Sequence, residues 1–130
     1  MPEPSSPNPP AFWAALGRIP SGLSILTVRD GAEDSGRATG MLASWVQQAG
    51  FDPPMVTVAL GKGRFVLDWA RASGRFVLNA IPAGNKAMLR HFGKGFGPND
   101  PAFEGVDLIH PDEPAGPVLG NRPRCGATEP

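Results

Sequence analysis

The chain has 130 residues, and its 12 Lys and Arg balance 12 Asp and Glu, so its formal net charge is zero. That length fits one modest domain, and the charge balance argues against a nucleic-acid binder held by a basic face while favouring self-association. A single cysteine, Cys125, excludes an intrachain disulfide, no apolar run approaches the ~20 residues of a membrane helix, and the N-terminus lacks the pattern of a signal peptide, so the cytoplasm is the expected compartment.

Residues 1–11, which include PEPSSPNPP, are expected to form a flexible Pro-rich arm. Residues 12–16 form a short apolar helical turn that Gly17 ends, expected to dock on the core. Residues 23–28 (LSILTV) are β-branched and partly alternating, and predict a strand. After a polar loop, residues 37–46 predict a second strand that pairs with the first as a hairpin. This strand is rich in small residues, which mark places where another backbone or a ligand comes close. Phe51-Asp52-Pro53-Pro54 is a turn, because the two prolines forbid a helix there. Residues 55–60 (MVTVAL) are the clearest strand of the chain.

Gly61-Lys62-Gly63 breaks that strand, and residues 64–72 follow with Phe65, Val66, Trp69 and Ala70 at helical spacing, stopped at Ser73-Gly74. Residues 75–81 predict another strand, closed by Pro82. Asn85 is a candidate N-cap for a second helix with Ala87, Met88, Leu89 and Phe92 on its apolar side. Residues 106–109 are read as a last short strand, and residues 120–130 as a disordered tail. The order is strand, strand, strand, helix, strand, helix, strand. It points to an α+β domain on an antiparallel sheet or small barrel, not to a doubly wound sheet.

Most chemistry is excluded by spacing. Neither Gly61-Lys62-Gly63-Arg64 nor Gly93-Lys94-Gly95 is a phosphate loop, and the dinucleotide fingerprint is absent. His91 and His110 are the only histidines and have no cysteine cluster near them, so no metal is expected. What remains is residues 40–60 followed by Lys62 and Arg64. Thr39, Ser44, Gln47 and Gln48 offer polar groups beside Gly40 and Ala43, Trp45 offers a flat wall, and two cations open a helix whose N–H groups favour an anion. A flavin mononucleotide needs those three things. The same residues also suit a hairpin that packs Trp45 into a core and leaves Lys62 and Arg64 solvated.

The run GMLASWVQQAGFDPPMVTVAL from Gly40 to Leu60 resembles the characteristic segment of the flavin reductase-like, FMN-binding split-barrel family, most of all the reductase module at the C-terminal end of diflavin flavoproteins. GRIPSGLSILT from Gly17 resembles that module's opening strand, and Phe76-Val77-Leu78-Asn79 its F-x-L-N strand. The resemblance spans residues 12–119 and implies an incomplete antiparallel split β-barrel with two or three short helices, a homodimer, FMN or FAD as cofactor and NADH or NADPH as reductant. By the same resemblance Met41, Leu42, Ala43, Ser44, Trp45, Gln47 and Gln48 would contact flavin, Lys62 and Arg64 its phosphate or ribityl chain, and Asn79 would neighbour the ligand. An alternative role is a flavin-binding or electron-relay module without its own reductase activity, or a non-functional fragment.

The chain departs from that pattern after Asn121. The family continues there with an Ala-Leu-Ala-type strand and further strands that close the barrel, whereas this sequence reads Arg122-Pro123-Arg124-Cys125-Gly126. Pro and Gly suit a central strand poorly. A reading-frame shift would account for the change, since codons for Arg-Pro-Arg-Cys, read one base later, can encode Ala-Leu-Ala-Val. Late strands missing in this way would leave edges and part of the core exposed.

Overall fold

The computed structural model describes residues 11–20, 22–32 and 36–120. In chain order its elements are α1 (Ala11–Leu16), β1 (Ser24–Arg29), β2 (Ala38–Ala43), β3 (Val46–Phe51), β4 (Pro54–Val58), α2 (Phe65–Ser73), β5 (Val77–Ala80), α3 (Lys86–Gly93), β6 (Leu108–His110) and β7 (Val118–Leu119). Residues 1–10 and 121–130, which hold almost all of the expected arm and tail, lie outside the described residues.

β1 is the middle strand of a three-stranded antiparallel sheet of order β2-β1-β5. Side chains alternate across a strand, and here both faces are covered. Leu26 and Val28 pack with Ala43, Val66 and Trp69 on the α2 side. Ile25 packs with Met88 and Phe92 on the α3 side. This is why Ile25, Leu26, Thr27 and Val28 form an unbroken buried run instead of an in-out alternation.

The expected 37–46 strand is two strands. β2 ends at Ala43, and β3 starts at Val46 in a different sheet, where it pairs with β4. Ser44 and Trp45 form the corner at which the chain changes partner. The small residue Gly40 in β2 has a definite cause: a Cβ there would lie 2.6 Å from Cε1 of Phe92, so the ring packs directly on the glycine backbone. The β3–β4 hairpin turns at Asp52-Pro53, whose peptide bond is cis. Its register shifts between Gln48 and Gly50, leaving Ala49 as a bulge.

Both helices end as expected. Gly74, in the left-handed region, closes α2 with its N–H on the Ala70 carbonyl, and Asn85 caps α3 by accepting from the Met88 N–H. The N-terminal turn also forms, but its docking on the core does not: α1 buries no residue. The apolar strand β4 is likewise mostly exposed. β6 and β7 form a two-stranded hairpin strapped over the α3-side face. Arg29 donates to the carbonyls of Pro111 and Glu113, and Thr27 Oγ1 donates to the Pro117 carbonyl at 2.7 Å.

Arg37 fastens the β1–β2 end. Its Nε pairs with buried Asp30 at 2.9 Å, its Nη1 donates to Asn99, and its guanidinium lies 5.2 Å from the Trp69 ring centroid. The described strands fall into three antiparallel sheets without a closed barrel, with three short helices. The expected α+β, incomplete split-barrel class therefore stands.

Phe92 is 1% exposed, so the Gly40 contact has no slack. Gly40→Ala is expected to destabilise the protein by about 1–3 kcal/mol through overpacking. Adding Phe92→Leu should recover part of the loss; urea unfolding of the two variants and the parent checks this.

Candidate functional site

The corner at Ser44-Trp45 is built by a change of sheets. Beyond β2 the backbone is held by the Ala59 N–H, which donates to the Trp45 carbonyl at 3.0 Å. Val46, Val58 and Leu60 lean on the core beneath α2 and so keep both strands of the corner against it. The chain then turns through Gly61-Lys62-Gly63, where Gly63 adopts φ 80°, a conformation that favours glycine. Arg64 follows as the extended N-cap of α2 and makes no side-chain cap hydrogen bond. The first N–H groups of α2 therefore have no capping side chain, and the positive end of the helix dipole is open beside Lys62 and Arg64, both exposed.

The predicted site residues divide into three groups. Met41 and Ala43 pack in the α2-side core, and Leu42 in the α3-side core, so their side chains support the corner from below. Ser44, Trp45, Gln47 and Gln48 are exposed, Trp45 at 72%. That exposure removes the alternative in which Trp45 fills a core. Gln47 and Gln48 are consecutive on β3 and so point to opposite faces. The Trp45–Ala59 bond brings the corner beside the segment that leads to Lys62 and Arg64.

Asn79 stands apart from this group. It is 8% exposed on the α3-side face. Its Nδ2 donates to the Ile25 carbonyl at 3.0 Å and to Thr27 Oγ1 at 3.3 Å, while its Oδ1 accepts from the Leu119 N–H at 3.0 Å. The amide ties β1, β5 and β7 together. It also lines a cleft of about 110 Å³ with Ala80, Ile81, Pro82, Asn85 and Met88 among its walls, which is well below the ~300–1,000 Å³ of small-molecule sites.

Thr39, counted among the polar groups, is 1% exposed, and its Oγ1 has no hydrogen-bond partner among the described residues. Sequence reasoning missed Thr27 and Arg29. A threonine and an arginine in a β-branched run carry no signal of the distant carbonyls they hold. Among the described residues, no helix is long and apolar enough to cross a membrane, and no cluster of His, Cys, Asp and Glu could hold a metal ion.

An antiparallel sheet covered by a helix on each face is the fold of this chain, and it matches a flavin reductase-like domain. The family model of that domain matches residues 16–122, and the chain belongs to the family. It is 45% identical over 93 residues to diflavin flavoprotein A 1 of Synechocystis sp., covering 71% of this chain and 16% of that protein. It is 42% identical over 108 residues to a diflavin flavoprotein A of Nostoc sp., covering 82% and 18%. The chain thus spans about a sixth of the length of these curated relatives. Among solved structures, the NADH:FAD oxidoreductase of Streptomyces globisporus C-1027 superposes with a TM-score of 0.69 at 25% identity, covering 90% of this chain and 69% of that one. The flavoredoxin of Desulfovibrio vulgaris (Miyazaki F) shares the fold with a TM-score of 0.63 at 23% identity, covering 92% and 61%.

Asn79→Ala is expected to strand the Leu119 N–H at a cost of about 1–3 kcal/mol. Hydrogen exchange at the Leu119 amide should quicken by about tenfold or more. Unchanged exchange there would show that the amide is not the tie.

Proposed function

We propose that the chain binds FMN at the Ser44–Trp45 corner and serves the transfer of a hydride from NADH or NADPH to that flavin, with FAD as the second candidate cofactor. The residues present fit the group. The indole of Trp45 gives a flat apolar wall, Ser44 and the amides of Gln47 and Gln48 offer hydrogen bonds, and Met41, Leu42 and Ala43 stiffen the strand beneath. Lys62, Arg64 and the uncapped N–H groups of α2 suit a phosphate dianion. Bound flavin supplies the redox chemistry, while the protein supplies binding, orientation and electrostatic tuning. Asn79 enters this reading as a positioning residue, since its amide is engaged inside the fold.

The observation that supports the reading is the Trp45–Ala59 backbone bond at 3.0 Å, because it joins the aromatic corner to the segment that runs on into Lys62 and Arg64. A homodimer belongs to the same proposal. Phe51 is 86% exposed, and Met55 and Val56 about half exposed, on a hairpin that a second copy would cover. A second reading is a flavin-binding or electron-relay module without reductase activity of its own.

Titration with FMN and riboflavin, followed by addition of NADH or NADPH, tests both. The Lys62→Ala/Arg64→Ala variant is expected to bind FMN about tenfold or more weakly, with riboflavin affinity unchanged, because only FMN carries the phosphate. Bleaching of the bound flavin by NADH or NADPH supports the reductase, and binding without bleaching supports the module. No binding of either flavin removes both and leaves a non-functional fragment.

A further inference from the structure

α3 carries a second electrostatic feature, remote from the corner in sequence and independent of the flavin reading. Lys86, Arg90 and Lys94 recur every four residues along it. All three are exposed, and the buried side of the helix is formed by Met88, His91 and Phe92. Residues four apart are neighbours on a helix surface, so the three cations form one stripe. The sequence of α3 and its C-cap, KAMLRHFGK, holds no acid to relieve their repulsion. None of the three enters an ion pair among the described residues. Lys86 also occupies the first turn, where the helix dipole disfavours a cation.

The helix dipole favours Arg90 and Lys94 at the C-terminal end of α3, but it disfavours Lys86 in the first turn, and like charges at this spacing repel one another, so helix stability accounts for only part of the stripe. The chain is neutral overall, so the stripe is a local excess and not a reflection of a basic protein. The cleft described above opens at the same helix, lined by Ile81, Pro82, Asn85, Met88, Ile109 and Leu119. At about 110 Å³ it has room for one aliphatic side chain and not for a cofactor. Ile109 on its wall is 59% exposed.

We infer that α3 and its cleft form a docking surface for an acidic segment of a protein partner, with one aliphatic side chain of that segment seated in the cleft. Charge complementarity over the stripe steers and orients the partner, and the apolar seat adds the anchor that small interfaces concentrate their affinity in. A nucleic-acid strand would satisfy the stripe but would leave the apolar seat empty.

The test uses the full chain and fluorescence anisotropy with three labelled probes: a twelve-residue Asp/Glu-rich peptide with a central leucine, the same peptide with serine there, and an oligothymidylate of equal charge. The leucine peptide is expected to bind, to weaken steeply as salt rises to about 0.15 M, and to bind several-fold more tightly than the other two probes. Lys86→Glu/Arg90→Glu/Lys94→Glu is expected to weaken it by about tenfold or more. Lys86→Gln/Arg90→Gln/Lys94→Gln gives the same reading should charge reversal disturb the helix, with circular dichroism as the check on folding. Equal binding of the peptide by parent and substituted chains, equal binding of the leucine and serine peptides, preference for the oligothymidylate, or no binding at low salt would each overturn the proposal.

Discussion

Burial of β1 on both faces is the constraint on which the other parts depend. A strand covered by a helix on each side leaves little room for error in either layer, because interiors are packed as densely as organic crystals. The α2 side is filled by aliphatic side chains and Trp69, and the α3 side by Phe92 resting on bare glycine backbone. The corner at Ser44-Trp45 inherits its position from this arrangement. β2 is clamped as far as Ala43, and the chain can leave the sheet only after that point.

Polar groups inside the fold do a second job, that of joining segments distant in sequence. Thr27, Arg29 and Asn79 lie on one face of the central sheet and together hold the 111–119 stretch. Each satisfies backbone groups that would otherwise be costly to bury. The two faces differ in what they expose. The α2 side leads to a helix start flanked by the exposed Lys62 and Arg64, and the α3 side to a small apolar cleft at a helix that carries three exposed cations.

Much of this was legible in the sequence. The β-branched run of β1, the cap residues Asn85 and Gly74, and the turn at Asp52-Pro53 were read from local chemistry, and local chemistry decides them. The run GMLASWVQQAGFDPPMVTVAL placed the chain in its family. Three things were not legible. The break at Ser44-Trp45 is invisible to periodicity, because both strands flanking it are good strands and only the change of partner separates them. The exposure of α1 and β4 runs against their apolar composition, which argues for burial whatever the burying surface is. The ties made by Thr27 and Arg29 join residues more than eighty positions apart, and no local pattern encodes such a pairing.

The bulge at Ala49 governs the tip of the β3–β4 hairpin. The extra residue is absorbed at the bulge, so the ladder resumes beyond it with Gly50 opposite Met55 and Phe51 opposite Pro54. Phe51 therefore takes its side from the partner strand and not from its own environment, which is almost wholly solvent. Ala49 works as a shim. A relative without it would close the ladder evenly and keep the same surface of the hairpin tip outward, losing only the local bend and twist that the bulge imposes.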